Sequence, residues 1–183
     1  MQKPIETIPQ GVRHIHCIGI GGSGMFPLVQ ILHGRGYTIT GSDNNESDIV
    51  ELERQMGIEV TMGQRAENIR GADLILYSAA IMETNPELIA ARESGLPLWE
   101  RAKMLGAVSS WYSEALGVCG THGKTTTTAM IVQILYMAGL DPSADHRRVW
   151  AQRGNAALCV RGLRIQGYLP FHPPRYRPGA QYR

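Results

Sequence analysis

The sequence predicts an α/β fold with a parallel sheet, and three observations lead to this fold class. Short runs of β-branched and apolar residues alternate with helical patterns, which is typical of βαβ units. A glycine-rich turn at 19–24 joins the first of these runs to the first helical pattern. A second glycine-containing turn, at 120–126, again separates a strand pattern from a helical one. We therefore expect a Rossmann-like sheet followed by the opening of a second α/β unit.

Apolar periodicity and turn residues place the individual strands and helices. The strands are expected from His14 to Ile20, Tyr37 to Thr40, Ile58 to Thr61, Leu74 to Tyr77 and Ala115 to Cys119. The helices are expected from Ser23 to His33, Asp48 to Met56, Pro86 to Ser94 and Lys124 to Gly139, with a connecting helix from Lys103 to Ala107. The last long helix carries an apolar stripe that we expect to be buried, formed by Ile131, Ile134, Leu135 and Ala138.

Charge and proline content divide the chain unevenly. Up to Ser143 there are ten Lys or Arg and fifteen Asp or Glu, whereas the remainder has eight Arg, one acid and four of the ten prolines. We therefore expect a Rossmann-like domain at 1–105, an incomplete second unit at 106–142 and a poorly ordered Arg/Pro-rich tail at 143–183. A basic tail can bind nucleic acid or anionic lipid, but disorder is the commoner reason for this composition, so nucleic-acid binding is not expected.

The composition also bears on the cellular compartment. No stretch approaches the roughly 20 apolar residues of a membrane helix, and residues 1–11 lack the apolar run of a signal peptide. Three cysteines, Cys17, Cys119 and Cys159, form an odd and widely spaced set, unlike a disulfide framework. The sequence therefore predicts a cytoplasmic protein without membrane contact.

For three side chains that could react or bind a metal, the sequence favours a structural role. Cys119 is expected to be a small buried residue at a strand end, because nothing in the sequence supplies it with a base. His14 and His16 alternate on the first strand, but no Cys or carboxylate follows at the spacing of a metal site. We therefore expect both histidines on the strand surface.

The first glycine-rich turn fits the pattern G-x-G-x-x-G through Gly19, Gly21 and Gly24. Glycine permits the tight turn and the close approach of backbone N–H groups and a positive helix end to a diphosphate. Asp43 lies 19 residues after Gly24, where a carboxylate can reach a ribose hydroxyl. The spacing favours NAD, while another diphosphate-linked nucleotide and a turn without a ligand remain open alternatives.

The second turn combines backbone donors, a lysine and hydroxyl groups. Gly-Lys-Thr at a helix start supplies an ammonium for the β and γ phosphates and a hydroxyl for Mg²⁺. The strict Walker A spacing would require glycine at 118, where this chain has Val118. The alternative is an exposed lysine at a capped helix, and the loop histidine either contacts phosphate or substrate or is solvated. The residues of this turn are Gly120, Thr121, His122, Gly123, Lys124, Thr125 and Thr126.

Two phosphate loops in this order resemble those of the Mur ligases, the ATP-dependent amide-forming enzymes of peptidoglycan synthesis. The resemblance covers about Val12 to Pro142, and its first loop favours the branch of the family that joins L-alanine to UDP-N-acetylmuramate over the branch that recycles the murein tripeptide. The matching segments are 16–25, 41–43, 78–81, 85–87, 101–105 and 120–126.

The resemblance implies a site for UDP-N-acetylmuramate in the first part of the chain. The first loop would hold the diphosphate, and the end of the second strand would lie near the nucleoside. The residues implied are Gly19, Gly21, Gly22, Ser23, Gly24, Met25, Ser42, Asp43, Ser78, Ala79, Ala80 and Ile81.

The resemblance also implies ATP and Mg²⁺ at the loop from Gly120 to Thr126. Lys124 would be catalytic by binding the ATP phosphates, and Thr125 would contact the metal. In the reaction implied, the muramate carboxylate attacks the γ-phosphate to form an acyl phosphate, and the amine of L-alanine then displaces phosphate. The L-alanine site would belong to later parts of the family's pattern.

The family's pattern is not found after Pro142, and we interpret the change as a truncation or frameshift near Ser143. The fragment is expected to bind the UDP-sugar without catalysing the ligation alone. Two alternatives remain. One is an NAD-binding Rossmann protein in which the second loop has no role, and the other is a non-catalytic nucleotide-binding module whose basic tail holds a partner.

Overall fold

The computed structural model describes residues 6–112, 114–138, 141–145 and 148–152. A five-stranded sheet forms the first part of the chain, and all its neighbouring strands are parallel. The strand order is β3-β2-β1-β4-β5, which places β1 in the centre. The α/β class with a Rossmann-like parallel sheet is therefore confirmed. The strands are β1 (His14–Ile18), β2 (Thr38–Asp43), β3 (Glu59–Met62), β4 (Leu74–Tyr77) and β5 (Leu98–Glu100).

Helices cover both faces of this sheet, so side chains alternate between two cores along the central strand. Ile15 and Cys17 of β1 belong to the larger core, and Ile18 belongs to the smaller one. Apolar residues of α1 and α4 complete the larger core, whereas α3 contributes to the smaller core. The helices are α1 (Phe26–Gly34), α2 (Asp48–Gln55), α3 (Pro86–Ser94) and α4 (Arg101–Ser109), with a 3-10 helix at Ala66–Ile69.

Element boundaries differ most from the predictions around the first glycine turn. Strand β1 ends at Ile18 because Gly19 turns the chain with φ of +74°. Helix α1 begins at Phe26 and not at Ser23, since the intervening residues form turns in which Met25 and Phe26 donate to the Gly22 carbonyl. Three extra residues thus lie in the turn and leave its backbone N–H groups outside the helical ladder.

A second, three-stranded sheet follows the first. Its strands are β6 (Glu114–Gly117), β7 (Asp141–Asp145) and β8 (Arg148–Gln152), in the order β6-β8-β7, and both pairs are antiparallel. The sequence pattern did not indicate β7 and β8, and the domain boundary predicted at 142/143 falls inside β7. Helix α5 (Lys124–Met137) begins where predicted, while the expected end at residue 139 lies outside the described residues.

The buried stripe predicted for α5 is wrong. Ile134 is 64% exposed and Ala138 is exposed, while Ile131 and Leu135 are half-buried. Thr128 is the buried residue of this helix in the described part of the chain. Among the described elements of the second unit, α5 packs on β7 and β8, which leave much of its apolar surface uncovered. None of the described helices is long and apolar enough to cross a membrane.

Two further expectations about single side chains are corrected. His16 is only 1% exposed, because β1 is the central strand and helices cover both of its faces. Cys119 is exposed and not buried, since it follows β6 in the loop that leads to α5. Cys17, in contrast, is buried and has no disulfide partner among the described residues.

Glu53 of α2 is an ionisable residue in the interior of the protein. The residue is fully buried, and neither oxygen of its carboxyl has a hydrogen-bond partner in the described structure. Burial, together with the nearby negative charge of Asp43, raises the pKa of Glu53 to about 8. Burial and the proximity of Glu53 also raise the pKa of the Cys17 thiol. Near neutral pH, Glu53 therefore folds as a neutral acid.

Gly41→Ala tests the packing between β1 and β2. A Cβ at Gly41 would lie 2.5 Å from Ile20 Cδ1 and 2.8 Å from the Cys17 carbonyl oxygen, so the two strands must shift. We expect a loss of about 1–3 kcal/mol in the free energy of unfolding, measured by urea denaturation. The control is Gly106→Ala in α4, where a Cβ meets nothing within 4 Å and helix propensity predicts a small gain. Equal stabilities of the two variants would contradict this packing.

Glu53→Gln tests the buried acid through the pH dependence of unfolding. The pKa of Glu53 is raised on folding, so stability is highest below its unfolded pKa and falls as pH rises towards about 8. The wild-type chain should lose up to about 1.4 kcal/mol per pH unit over this range, and Glu53→Gln should remove that loss. Denaturation curves between about pH 5 and pH 8 measure it. Glu51→Gln, at an exposed position of the same helix, should keep the wild-type slope, and a wild-type slope in Glu53→Gln would refute the interpretation.

Candidate functional site

The candidate site lies where the strand order of the parallel sheet reverses. From β1 the chain proceeds outward to β2 and β3 on one side, and later to β4 and β5 on the other. Ligands of open α/β sheets bind at the carboxyl ends of the strands at such a switch point. The segments that follow β1, β2, β4 and β5 all begin at this edge.

The glycine loop, residues 19–25, is tied to the end of β2 by hydrogen bonds. The N–H groups of Gly19 and Ile20 donate to the Ser42 carbonyl at 2.8 and 3.0 Å. The N–H of Gly21 donates to Asp43 Oδ2 at 3.0 Å, while the other oxygen of Asp43 accepts from the N–H of Asn45 at 3.0 Å. In this structure the Asp43 carboxylate therefore holds the loop in place.

Glycine is required in this loop because other groups approach its backbone closely. A Cβ at Gly21 would lie 2.7 Å from Val50 Cγ2 and 3.3 Å from Ser47 Oγ, at the start of α2. Gly19 has a positive φ, and a Cβ there would lie 3.0 Å from Ile81 Cδ1. The loop is thus enclosed by α2 on one side and by the segment after β4 on the other.

Two N–H groups of the loop remain available. Gly22, Met25 and Phe26 donate to carbonyl oxygens of the loop itself, at 2.8–3.3 Å. The N–H groups of Ser23 and Gly24 donate to no other group in the part of the chain that the structure describes. These two donors stand immediately before α1, where the positive end of the helix dipole also favours an anion.

The residues predicted for the UDP-sugar site are brought to one edge but differ in accessibility. Gly22, Ser23, Ala79 and Ala80 are exposed, whereas Gly19, Gly21, Gly24, Asp43, Ser78 and Ile81 are half-buried. Met25 and Ser42 are buried, with 1% and 0% of their surface exposed. Met25 packs in the larger core and the Ser42 hydroxyl donates to Glu87 at 2.5 Å, so these two side chains support the loop from the protein interior.

A buried polar network under this edge was not evident from the sequence. Glu87 accepts hydrogen bonds from Ser42 and from the Asn68 amide, and His16 Nε2 lies 3.8 Å from its carboxylate. The other ring nitrogen of His16 bonds to Thr40 Oγ1 at 2.9 Å. Burial opposes ionisation of Glu87, yet its hydrogen bonds outweigh burial and hold the pKa of its carboxyl below the ordinary value. A sequence signal existed only in the helix start Asn85-Pro86-Glu87, where Asn85 caps α3.

Two glycines of the second loop have positive φ. Gly120 and Gly123 have φ of +148° and +75°, and Gly123 is followed directly by α5. Lys124 Nζ donates to the carbonyl oxygens of Gly120 and Thr121 at 2.8 and 2.9 Å, so the ammonium lies across its own loop. A phosphate would have to replace these two carbonyls. The exposed residues of the loop are Gly120, Thr121, His122, Gly123, Thr125 and Thr126.

A metal ion would need more ligands than this loop supplies. Thr125 is exposed at the start of α5 and offers one hydroxyl. The described residues contain no group of three or more His, Cys, Asp or Glu side chains that could hold a metal. The chemistry of the donors thus fits nucleotide phosphates, whereas a Mg²⁺ ion could gain only one protein ligand from the loop.

Comparison with known proteins identifies the family. Residues 14–112 match the model of the Mur ligase family, catalytic domain. A UDP-N-acetylmuramate–L-alanine ligase of Agathobacter rectalis is 51% identical over 131 residues, which are 71% of this chain and 28% of that protein. A ligase of the same name from Acetivibrio thermocellus is 44% identical over 175 residues, covering 90% of this chain and 37% of that protein. The latter alignment extends beyond residue 142, where the resemblance was expected to end.

Solved structures give the same result. A UDP-N-acetylmuramate-alanine ligase of Thermotoga maritima superposes with a TM-score of 0.68 and 28% identity, over 78% of this chain and 35% of that one. A UDP-N-acetylmuramate:L-alanyl-γ-D-glutamyl-meso-diaminopimelate ligase of Neisseria meningitides superposes with a TM-score of 0.64 and 31% identity, over 72% and 41%.

The chain spans about a third of the length of the curated relatives that it matches. Within that span, the family match includes the glycine loop, the end of β2 and the segment after β4. From this match, and from the parallel sheet that it shares with the solved relatives, we conclude that the chain belongs to the Mur ligase family.

Proposed function

We propose that the first part of this chain binds UDP-N-acetylmuramate, as the corresponding part of a UDP-N-acetylmuramate–L-alanine ligase. The observation that carries the proposal is a pair of N–H groups at the switch point of the sheet, those of Ser23 and Gly24, which donate to no other group within the described residues. These donors are suited to one phosphate of a diphosphate, because they point from a fixed loop at a helix N-terminus. Relatives named for this substrate are 44–51% identical over the same region.

The surroundings of the loop support a sugar nucleotide. Ala79 and Ala80, after β4, are small and exposed, so they leave room beside the loop for a bulky group. Ile81 packs against Gly19 and fixes the position of that segment. On the other side, Asn45 and Ser47 follow β2 and are exposed. We propose that the diphosphate lies over Ser23 and Gly24, with the nucleoside and the sugar between the segments that follow β2 and β4.

The loop from Gly120 to Thr126 is proposed to bind ATP. Lys124 would exchange its two loop carbonyls for phosphate oxygens and neutralise their charge, and Thr125 would be a ligand of Mg²⁺. When bound, Mg²⁺ would supply further charge neutralisation at the phosphates. In the ligation that family membership suggests, the muramate carboxylate displaces ADP from the γ-phosphate, and the amine of L-alanine then displaces phosphate from the acyl group. We assign to this chain the binding of UDP-N-acetylmuramate and ATP, and we propose that the L-alanine site lies outside the described residues.

Calorimetric titration of the chain with UDP-N-acetylmuramate, NAD and ATP with Mg²⁺ tests the proposal. UDP-N-acetylmuramate should bind, and Gly21→Ala should weaken binding at least tenfold, because its Cβ pushes against Val50 and displaces the loop. Lys124→Met should weaken only the binding of ATP. Arg92→Met, on an exposed part of α3, is the control variant and should behave as wild type.

Each possible outcome separates the candidate functions. Binding of NAD without binding of UDP-N-acetylmuramate would overturn the proposal in favour of a Rossmann protein of the dehydrogenase type. Thermal unfolding of Gly21→Ala should be recorded in parallel. If the variant is unfolded, a competition titration on the wild-type chain takes its place, in which UDP should displace bound UDP-N-acetylmuramate. Failure of UDP to displace it would contradict a uridine-diphosphate site.

A further inference from the structure

Three side chains of β1 and β2 form a continuous line of polar contacts, and we call His14, Thr40 and His16 the histidine chain. Nδ1 of His14 lies 2.7 Å from the Gly71 carbonyl oxygen, and its Nε2 lies 2.9 Å from Thr40 Oγ1. Thr40 Oγ1 also lies 2.9 Å from Nδ1 of His16. Nε2 of His16 is buried, has no hydrogen-bond partner within the described residues and lies 3.8 Å from Glu87 Oε2.

The directions of these hydrogen bonds are fixed from the Gly71 end. A carbonyl oxygen can only accept, so Nδ1 of His14 carries a hydrogen. If the His14 ring is neutral, its Nε2 has a lone pair, and the Thr40 hydroxyl must donate its single hydrogen to it. The oxygen of Thr40 then accepts from Nδ1 of His16. Two neutral rings therefore leave a lone pair on Nε2 of His16, which faces the carboxylate of Glu87.

The carboxylate at the other end of the histidine chain is a buried anion. Glu87 Oε1 accepts from the Asn68 amide and from the N–H of Arg65, while Oε2 accepts from the Ser42 hydroxyl. Burial opposes its ionisation, but hydrogen bonds, including one from His16, hold the pKa of Glu87 below the ordinary value. Among the described residues, its one ion pair is with His16. A buried anion of this kind is costly unless a cation balances its charge.

We propose that the histidine chain holds one proton more than two neutral imidazoles, that this proton balances the charge of Glu87, and that its loss shifts the glycine loop. The extra proton can belong to either ring. If His16 is charged, its Nε2 carries the added hydrogen. If His14 is charged, Thr40 donates to Nδ1 of His16, whose hydrogen is then on Nε2. Both arrangements present an N–H to Glu87 and differ in the direction of the Thr40 hydroxyl.

The charges that face the histidine chain favour retention of this proton. Asp73, from the segment before β4, accepts hydrogen bonds from the backbone N–H groups of Arg13 and His14. Its carboxylate favours a charged His14, whereas the side chain of Arg13 opposes it. Glu87, from α3, favours the charge at the other end. Two carboxylates thus act against one guanidinium, and the half-buried ring of His14 gives the proton access to solvent.

The state of the histidine chain reaches the glycine loop through the end of β2. Glu87 accepts from the Ser42 hydroxyl, and the Ser42 carbonyl accepts from the N–H groups of Gly19 and Ile20. When pH rises and the proton leaves, the lone pair of His16 repels Glu87, so the carboxylate and Ser42 move. The loop is therefore fixed at lower pH and displaced at higher pH. This device lies beyond the proposed function and operates without a ligand.

Ring-nitrogen ¹⁵N spectra of the full chain count these protons directly. They are recorded at a pH at which the ring of His122, an exposed loop residue, is observed to be neutral. His14 and His16 should then carry three ring hydrogens between them, whereas two neutral rings carry two. Glu87→Gln should lower the count to two, because it removes the anion and keeps the shape of the side chain. A count of two in the wild-type chain would overturn the inference.

The backbone N–H signals of Gly19 and Ile20 test the link to the loop. In a pH titration of the wild-type chain they should shift with the same midpoint as the two histidine rings. Thr40→Val should abolish this common shift, because it interrupts the histidine chain, while Thr38→Val at an exposed position of the same strand should keep it.

The paired variants separate this device from other effects of pH. Glu53 also titrates near the end of β2, but it does so in both variants, so their difference reports on the histidine chain. A merely structural Thr40 would lower stability in Thr40→Val and leave the response of Gly19 and Ile20 unchanged, and this result would overturn the link. If Thr40→Val does not fold, different midpoints for the rings and for these two N–H groups in the wild-type chain would overturn it.

Discussion

The hydrogen bonds between the glycine loop and the end of β2 are the constraint on which the rest of the site depends. Three successive N–H groups of the loop, from Gly19 to Gly21, are fixed by the Ser42 carbonyl and the Asp43 carboxylate. Because β1 and β2 are parallel neighbours, these acceptors stand beside the loop as soon as the two strands pair. The N–H groups of Ser23 and Gly24 are then held at a fixed position, and they have no partner in the part of the chain that the structure describes. An anion site with rigid donors loses little conformational entropy when it is filled.

The polar groups beneath this edge are organised to keep it rigid. Glu87 is buried and ionised, and it accepts hydrogen bonds from Ser42 and Asn68, which lie on two different elements. Removal of such a buried and satisfied carboxylate leaves its donors unpaired, which is costly in a low-dielectric interior. Glu53 is the opposite case, because its buried carboxyl has no hydrogen-bond partner among the described residues and keeps its proton at neutral pH. One carboxyl thus stabilises the edge as an anion, and the other is tolerated only as a neutral acid.

The sequence predicted correctly those elements whose own residues mark the strand, the helix or its ends. Strand β4 and helix α3 have the predicted bounds, because a continuous apolar run marks the strand and Asn85, Pro86 and Gly95 mark both ends of the helix. Strand β5 was missed because its three residues are too few to show a period. The delayed start of α1 was also missed, since the turn bonds of Met25 and Phe26 depend on the conformation of Gly22. The predicted fold class follows from the alternation of strands and helices. One missed short strand or a shift of a few residues in an element's bounds does not change that alternation.

Features that depend on distant contacts could not be predicted in this way. The burial of His16 follows from the central place of β1, which requires the order of all five strands. The exposure of Ile134 in α5 depends on which elements cover that helix, and an apolar stripe alone does not specify them. Arg101 reaches the glycine loop from 77 residues away, so only the assembled sheet reveals the contact. The glycines of both loops were recognisable because their chemistry is local, whereas the side chains that surround them were not.

The most direct test of the central claim is to observe which backbone N–H groups respond to a diphosphate. Two-dimensional ¹⁵N–¹H spectra of the whole chain, recorded during titration with UDP, report on each assigned N–H separately. The structure predicts the largest shifts at Ser23 and Gly24, smaller shifts at Asn45 and Ile81, and little change in β3. Shifts confined to the loop from Gly120 to Thr126, or spread evenly without a maximum at Ser23 and Gly24, would contradict the account.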